Sequence, residues 1–295
     1  MIVIAGGTGV LGSAIARQLL DRGQPVRVLT RTREKAASLA ARGADVAVAD
    51  LRDLESLRQA CEGATHVVTT ANAFMGRGAE SVTAVDVEGT RRLVDIARDR
   101  GVRQFVFTSA LLPPAFTAVD YFAAKAENEA HLRASGVPFT ILKPTAFMET
   151  WAQMIVDSVR DKGVAQIFGS GRLPINFVAV ADVATVAAMT IDRADAINGV
   201  VEIGGPENLT LLEVVEIVER VTGRTAKRTH LPVPLLKVLP WVIRPFNPGM
   251  ARAVHAGYYT ATVSQPFDPG PMLARFPIQP TRLEDWVRQR ERASR

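Results

Sequence analysis

The chain has 295 residues, of which 47% are hydrophobic and 22% are charged, with a formal net charge of +5. This length and apolarity are enough to bury a large core and exclude a disordered chain; one large domain or a main domain with a smaller one is expected. No predicted helix carries a sustained basic face, so nucleic acid is not an expected partner.

Other partner and compartment classes are limited by simple features of the sequence. The single cysteine, Cys61, excludes an internal disulfide and fits a reducing compartment. The four histidines lack metal-ligand spacing, so no metal is expected. No apolar run reaches ~18 residues, and the first strand begins at the second residue. We therefore expect a cytoplasmic protein with no signal peptide and no membrane partner; its oligomeric state is left open.

The first predicted strand, Ile2 to Ala5, runs directly into a glycine-rich turn and a helix with an apolar stripe. Gly6 permits a tight turn, Gly9 allows backbone to approach a pyrophosphate, and Gly12 allows close packing of the helix on the strand. The spacing is Gly-x-x-Gly-x-x-Gly, one residue wider than the usual fingerprint. The predicted dinucleotide contacts here are Gly6, Gly7, Thr8, Gly9, Val10, Leu11 and Gly12.

The second predicted strand, residues 25–30, ends without the acidic residue that selects NAD. Arg31 and Arg33 follow it, and a guanidinium can bind a ribose 2′-phosphate through two hydrogen bonds. This favours NADP(H) as the cofactor. The alternative is that the two arginines are ordinary surface residues opening a helix.

The following strands extend the same pattern. Strands are predicted over 45–49, 66–70, 104–108 and 137–142, with helices over 53–60 and 80–100 between them. This alternation predicts an α/β fold with a Rossmann-type, doubly wound parallel sheet, and a cofactor domain over residues 1–145. Further cofactor contacts are expected after the third and fourth strands, at Asp50, Leu51, Ala71, Asn72 and Ala73; Asp50 is placed to accept a hydrogen bond from the adenine amine.

Residues 146–295 are less regular and are predicted to form a smaller substrate-binding part, interleaved with the first. A helix is expected over 147–161, and Asp182 is expected to cap a helix over 183–191. One more strand is predicted over 200–203. Two capping-box patterns, Thr210 to Glu213 and Thr281 to Glu284, each predict the start of a helix.

A candidate catalytic group lies around the end of the fifth strand. Tyr121 and Lys125 stand four residues apart on a predicted helix and so share one face. An adjacent ammonium is expected to lower the pKa of the phenol, and Ser109 would bind the same substrate oxygen. Lys125 is also a candidate contact to the nicotinamide ribose. The alternative is an exposed pair without a catalytic role.

The sequence resembles the atypical short-chain dehydrogenases/reductases of the NmrA-like group. The segments that carry the resemblance are residues 6–12, 26–36, 49–53, 105–110, 121–150 and 177–184. The resemblance implies that the segment after the sixth strand, Pro144, Thr145, Ala146 and Phe147, meets the nicotinamide. Many members keep the lysine and lack the tyrosine, and some are not enzymes.

Two functions follow as hypotheses. The first is an NADPH-dependent oxidoreductase that reduces a fairly apolar small molecule, a carbonyl, enone or quinone, with Ser109, Tyr121 and Lys125 as catalytic residues. The expected walls of its substrate site are apolar: Phe74, Met75, Phe147, Met148, Trp151, Phe168 and Phe177. The second is a non-catalytic NADP-binding redox sensor or assembly protein. A nucleotide-sugar epimerase relative ranks below both.

Overall fold

The computed structural model describes residues 1–293, and its backbone divides into two compact units. The first unit comprises Met1–Ala110, Asp120–Lys143 and Val183–Glu202. The second comprises Leu111–Val119, Pro144–Asp182 and the chain from Ile203 onward. Within this described range, no helix is both long and apolar enough to cross a bilayer.

A seven-stranded sheet with the order β10-β6-β5-β4-β1-β2-β3 organises the first unit. Its strands are β1 (Ile2–Ala5), β2 (Val26–Thr30), β3 (Asp45–Val48), β4 (His66–Thr69), β5 (Gln104–Thr108), β6 (Phe139–Pro144) and β10 (Gly199–Ile203). Strands β1 to β6 pair in parallel. The predicted doubly wound Rossmann-type fold is confirmed.

Helices accompany this sheet. They are α1 (Val10–Asp21), α2 (Ala37–Ala40), α3 (Leu54–Ala60), α4 (Thr90–Asp99), α5 (Asp120–Ala134) and α7 (Val180–Thr190). Strand β1 is buried along its whole length, as expected of a parallel strand covered on both faces. Because the chain leaves β1 for β2 on one side and reaches β4 on the other, the crevice for a ligand opens at the carboxyl end of β1.

The predicted helix over 80–100 differs in its first half. Gly78–Glu80 is a short 3₁₀ turn, and Thr83–Gly89 is a π-helical segment that continues into α4. Asp86, in this segment, is buried. The wider π turn is a frequent feature of functional sites.

The second unit contains a three-stranded sheet with the order β11-β9-β7 and a parallel β12-β8 pair. The strands are β7 (Ala146–Phe147), β8 (Val164–Phe168), β9 (Ile175–Val178), β11 (Asn208–Leu209) and β12 (Lys227–Leu231). The helices are α6 (Trp151–Lys162), α8 (Leu211–Thr222), α9 (Val233–Ile243), α10 (Pro248–Thr262), α11 (Gly270–Arg275) and α12 (Leu283–Ala293). The helix predicted from Phe147 therefore begins later, because Phe147 pairs with Val178 in a sheet.

The capping predictions had different outcomes. Thr210 and Glu213 form the complete capping box at the start of α8, as predicted. The helix start predicted at Thr281 to Glu284 is confirmed by α12, which begins at Leu283, but the box itself does not form: the Thr281 amide and hydroxyl donate to the Asp182 carboxylate, at 2.7 and 3.0 Å. Asp182 also fails as the predicted helix cap, because it already lies in the first turn of α7. Asp182, 99 residues earlier in the sequence, thus accepts the backbone hydrogen bond that was expected to go to Glu284.

Candidate cofactor and active site

A cavity of about 530 Å³ opens at the carboxyl ends of β1 to β4, within the first unit. Its size is in the range of small-molecule and cofactor sites. Of the predicted cofactor contacts, the lining includes Gly6, Thr8, Gly9, Arg31, Asp50, Leu51, Ala71, Asn72 and Ala73.

The glycine-rich turn forms one wall of this cavity. Gly6 has φ +77°, and a Cβ atom there would lie 2.6 Å from the Ala71 amide nitrogen. A Cβ on Gly12 would lie 2.2 Å from the Gly6 carbonyl oxygen. Both glycines are therefore needed for the close approach of α1 to the ends of β1 and β4. The other predicted contacts are not part of this lining: Gly7 lies in the turn, and Val10, Leu11 and Gly12 lie in the first turn of α1.

Gly9 is the N-cap of α1 and has no side chain to satisfy the first amides of the helix. Its own Cβ position is much less crowded: the Gly6 carbonyl oxygen, at 3.2 Å, is the one heavy atom found within 4 Å of it. Unbonded amides at a helix start favour an anion. The turn thus combines backbone donors with room for a phosphate.

The two predicted phosphate-binding arginines lie in different surroundings. Arg31 lines the cavity, and its Nη1 lies 2.5 Å from Oε1 of Glu80, which also lines it. Arg33 instead donates from Nη2 to the Val46 carbonyl oxygen at 2.9 Å. Arg31 is therefore the cation presented to a cavity ligand.

Asp50 lines the cavity but is already hydrogen-bonded. Both of its carboxylate oxygens accept from the Arg52 guanidinium, at 2.9 and 2.5 Å. This contact lowers the pKa of Asp50, which stays ionised at neutral pH. The remaining acceptor capacity of the carboxylate is available to an amine.

Lys125, on α5, is buried beneath the same end of the sheet. Its Nζ donates to the Thr108 carbonyl oxygen at 3.1 Å and lies 3.8 Å from Oδ1 of Asp86. The ring centroids of Phe107 and Tyr121 are 5.1 and 5.2 Å away. Burial lowers the pKa of Lys125, and the Asp86 charge opposes that shift.

Tyr121 packs beside the cavity wall. Its ring meets the Phe74 ring edge to face at 5.0 Å between centroids, and Phe74 lines the cavity. The expected lowering of its pKa by Lys125 is wrong for this geometry: burial, followed by the Asp86 charge, raises the pKa of Tyr121. The phenol is therefore kept protonated and is a hydrogen-bond donor.

Ser109 has a different partner. Its hydroxyl donates to Oε1 of Glu129 at 2.5 Å, and Lys143 Nζ lies 2.9 Å from the other oxygen of that carboxylate. The structure thus brings Tyr121 and Lys125 together and directs the Ser109 hydroxyl into a separate polar cluster.

Sequence reasoning missed Asp86 and Asn128. The Asp86 carboxylate accepts from the Ala73 amide at 2.8 Å, and its backbone carbonyl accepts from Asn128 Nδ2 at 2.6 Å. For Asn128 the sequence offered one signal, its helical spacing three residues after Lys125. In the structure both side chains are buried. Asp86 ties the loop after β4 to α5.

The remaining predicted contacts lie in the second unit. Pro144 ends β6, and Ala146 and Phe147 form β7. The Thr145 hydroxyl donates to Oδ1 of the buried Asn176 at 2.9 Å. Of the apolar residues expected in a substrate wall, Met148 and Phe177 belong to the hydrophobic core of this unit, and Trp151 packs edge to face on Phe168.

The fold and this cavity define a Rossmann-type protein with a dinucleotide-binding crevice. The chain belongs to the NmrA-like family, whose model matches residues 1–269. This confirms the resemblance recognised in the sequence.

Individual relatives include proteins of different roles. The photosystem II assembly factor Ycf39 of Cyanophora paradoxa is 28% identical over 80% of this chain and 73% of its own length. The NAD(P)H azoreductase of Xenophilus azovorans is 27% identical over 77% of this chain and 76% of its own. The Escherichia coli NADPH-dependent quinone oxidoreductase, solved with NADPH, is 22% identical, with a TM-score of 0.78 over 98% of this chain and 99% of its own. The predicted NADP(H) cofactor agrees with the cofactors named for the azoreductase and the quinone oxidoreductase.

Proposed function

We propose that this protein is an NADP(H)-dependent oxidoreductase that reduces a fairly apolar acceptor, with a quinone or enone favoured over a simple carbonyl. The observation that carries the proposal is the cavity at the carboxyl ends of β1 to β4, where the glycine-rich turn and Arg31 lie on the same lining. The azoreductase relative and the quinone oxidoreductase neighbour support the reaction class.

The residues present fit a dinucleotide phosphate. The turn around Gly9 leaves open space for a pyrophosphate and supplies the first amides of α1. Arg31 offers its guanidinium to a 2′-phosphate, in competition with Glu80. Asp50 and Leu51 line the adenine end, and Ala71, Asn72 and Ala73 would let the cofactor pass close to the backbone.

When bound, NADPH supplies a hydride. The Tyr121 phenol, kept protonated by burial, donates a hydrogen bond or a proton to the acceptor oxygen. The Lys125 ammonium lies over the face of the Tyr121 ring. It is itself positioned by the Thr108 carbonyl oxygen and by Asp86. In this proposal Lys125 is also a contact to the cofactor ribose.

The acceptor preference follows from the proton requirement. Reduction of a simple carbonyl needs an acid at the oxygen, whereas a quinone or enone accepts hydride with less demand on a specific acid. Burial raises the pKa of Tyr121, and the Ser109 hydroxyl is bonded to Glu129. Both observations favour the less demanding acceptor.

The test is NADPH oxidation by the native protein and by Tyr121→Phe with three acceptors: a benzoquinone, an enone and a simple ketone. We expect native turnover of quinone or enone, with at most about a tenfold loss in the variant. Any ketone turnover should fall by about 10²–10⁴, the usual contribution of a positioned acid. Phe122→Leu, which changes the neighbouring ring and leaves the phenol, is the matched control.

A second candidate function is a non-catalytic NADP-binding assembly protein or redox sensor, favoured by the Ycf39 relative. It predicts NADPH binding without NADPH oxidation on the whole panel and no effect of Tyr121→Phe. A native protein that binds NADPH and turns over none of the acceptors would establish this alternative.

The cytoplasmic location remains a prediction.

A further inference from the structure

Helix α9 presents an unusual surface. Its sequence, VPLLKVLPWVI, holds one charged residue in eleven, yet Leu236 and Pro240 are the two buried members of the helix. A helix that is apolar all round is normally buried in a protein core or in lipid. Six large apolar side chains of α9, the turn after it and the start of α10 are exposed, and together they form the apolar face: Leu235, Val238, Trp241, Val242, Phe246 and Met250.

The buried and the exposed residues lie on opposite sides of α9. Leu236 and Pro240, four residues apart, point toward the body of the second unit, and α9 packs on α10. Leu235, Val238 and Val242 follow the i, i+3, i+7 spacing on the opposite side. Trp241 is 70% exposed and Phe246 is 81% exposed. A surface of this kind marks an interaction site on a protein.

The charge near the face favours an anionic partner. From residue 220 to residue 267 the sequence has no Asp or Glu and seven Lys or Arg, of which Arg220 and Arg228 form ion pairs with Glu284 and Glu219. Lys237 and Arg244, which flank the exposed tryptophan, are exposed and form no ion pair within residues 1–293. Exposed Trp and Phe beside unpaired cations are the features of a helix that lies in an anionic lipid interface.

We propose that the apolar face of α9 and α10 binds the surface of a membrane containing anionic lipids, with Trp241 and Phe246 inserted among the headgroups. Lys237 and Arg244 then meet the lipid phosphates, and the helix lies in the membrane plane. The sequence-based expectation of no membrane partner rested on the lack of a spanning segment, and a helix lying on the surface needs none.

The test is flotation of the full chain with vesicles of phosphatidylcholine alone and of an equal mixture of phosphatidylcholine and phosphatidylglycerol. We expect binding to the mixed vesicles, a blue shift of tryptophan fluorescence, and weakening at high salt. The double variant Trp241→Ser/Phe246→Ser should lose binding by about tenfold or more. Lys237→Gln/Arg244→Gln should also lose about tenfold or more, because each charge near an anionic surface contributes about fivefold.

Met154→Ser is the matched control, since Met154 is an exposed apolar residue on α6, outside the apolar face. It should bind vesicles like the native protein. Thermal unfolding of each variant checks that the fold is retained, and Lys237→Gln/Arg244→Gln provides a purely surface change if the apolar variant fails to fold. Failure of the native protein to bind the mixed vesicles would overturn the proposal. So would a native dimer that Trp241→Ser/Phe246→Ser converts to a monomer, since the face would then bind a second copy.

Discussion

Asp86 and Lys125 form a buried ion pair, with Lys125 Nζ 3.8 Å from Asp86 Oδ1. The two residues belong to the π-helical segment and to α5, so the pair joins two elements that are remote in the chain. The same carboxylate accepts from the Ala73 amide, in the loop that lines the cavity. Cofactor loop and candidate catalytic helix are therefore linked through one aspartate.

Removing the aspartate charge should destabilise the first unit. Asp86→Asn leaves the buried Lys125 ammonium without its counter-charge, and loss of one partner of a buried pair costs about 3–5 kcal/mol. We expect a lower midpoint of thermal unfolding. In Asp86→Asn/Lys125→Met the loss should be smaller than the sum of the two single changes, as a double-mutant cycle measures. Additive losses would show that the two charges do not interact.

Gly9 and Gly12 should respond differently to the same methyl group. Gly9→Ala places a Cβ 3.2 Å from the Gly6 carbonyl oxygen, which a small shift relieves, so the fold should survive while NADPH binding is largely lost. Gly12→Ala places it 2.2 Å from the same oxygen, and overpacking of this kind costs about 1–3 kcal/mol. Calorimetric titration with NADPH and thermal unfolding separate the two effects. Normal NADPH binding by Gly9→Ala would make residues 6–12 an ordinary turn.

Arg31 should determine the preference for NADPH over NADH. Arg31→Ala removes a charge-assisted contact to the 2′-phosphate, so NADPH affinity should fall roughly tenfold or more with little change for NADH. Arg33→Ala should cost less, because that guanidinium is bonded to the Val46 carbonyl. Glu80→Gln frees Arg31 from its ion pair and should tighten NADPH. Fluorescence titration measures all four proteins, and equal native affinity for the two cofactors would contradict the assignment.

Cys61 should be unreactive in the folded protein. Burial raises the pKa of its thiol from an ordinary value of 9.0 to about 11. At pH 8 we expect alkylation by iodoacetamide to be slower by about a hundredfold or more than in urea, because the thiolate is the nucleophile. The Cys61 thiol also binds its proton more tightly in the folded state than in the unfolded state. This thiol's contribution to stability is therefore complete below pH 9 and declines as pH rises toward 11. Cys61→Ala should remove that decline; native alkylation as fast as in urea would contradict the burial.

Much of the first unit could be predicted because its signals are local. Short apolar runs bounded by turns predict buried parallel strands, and residues 6–12 predict the turn between β1 and α1 through the conformational freedom of glycine. The pairing of Tyr121 with Lys125 follows from helical periodicity, and the Thr210 capping box from a four-residue pattern.

The tertiary structure decided which side chains that are distant in the sequence contact one another. Asp182 takes the Thr281 hydrogen bonds from a distance of 99 residues, and Ser109 is bonded to Glu129 instead of lying free beside Tyr121. The pKa of Tyr121 rises instead of falling because of its own burial and, second, because of the Asp86 charge, and both depend on how the π-helical segment and α5 pack. Local patterns specify backbone conformation within one element, whereas desolvation and partner choice are set by the elements that pack against it.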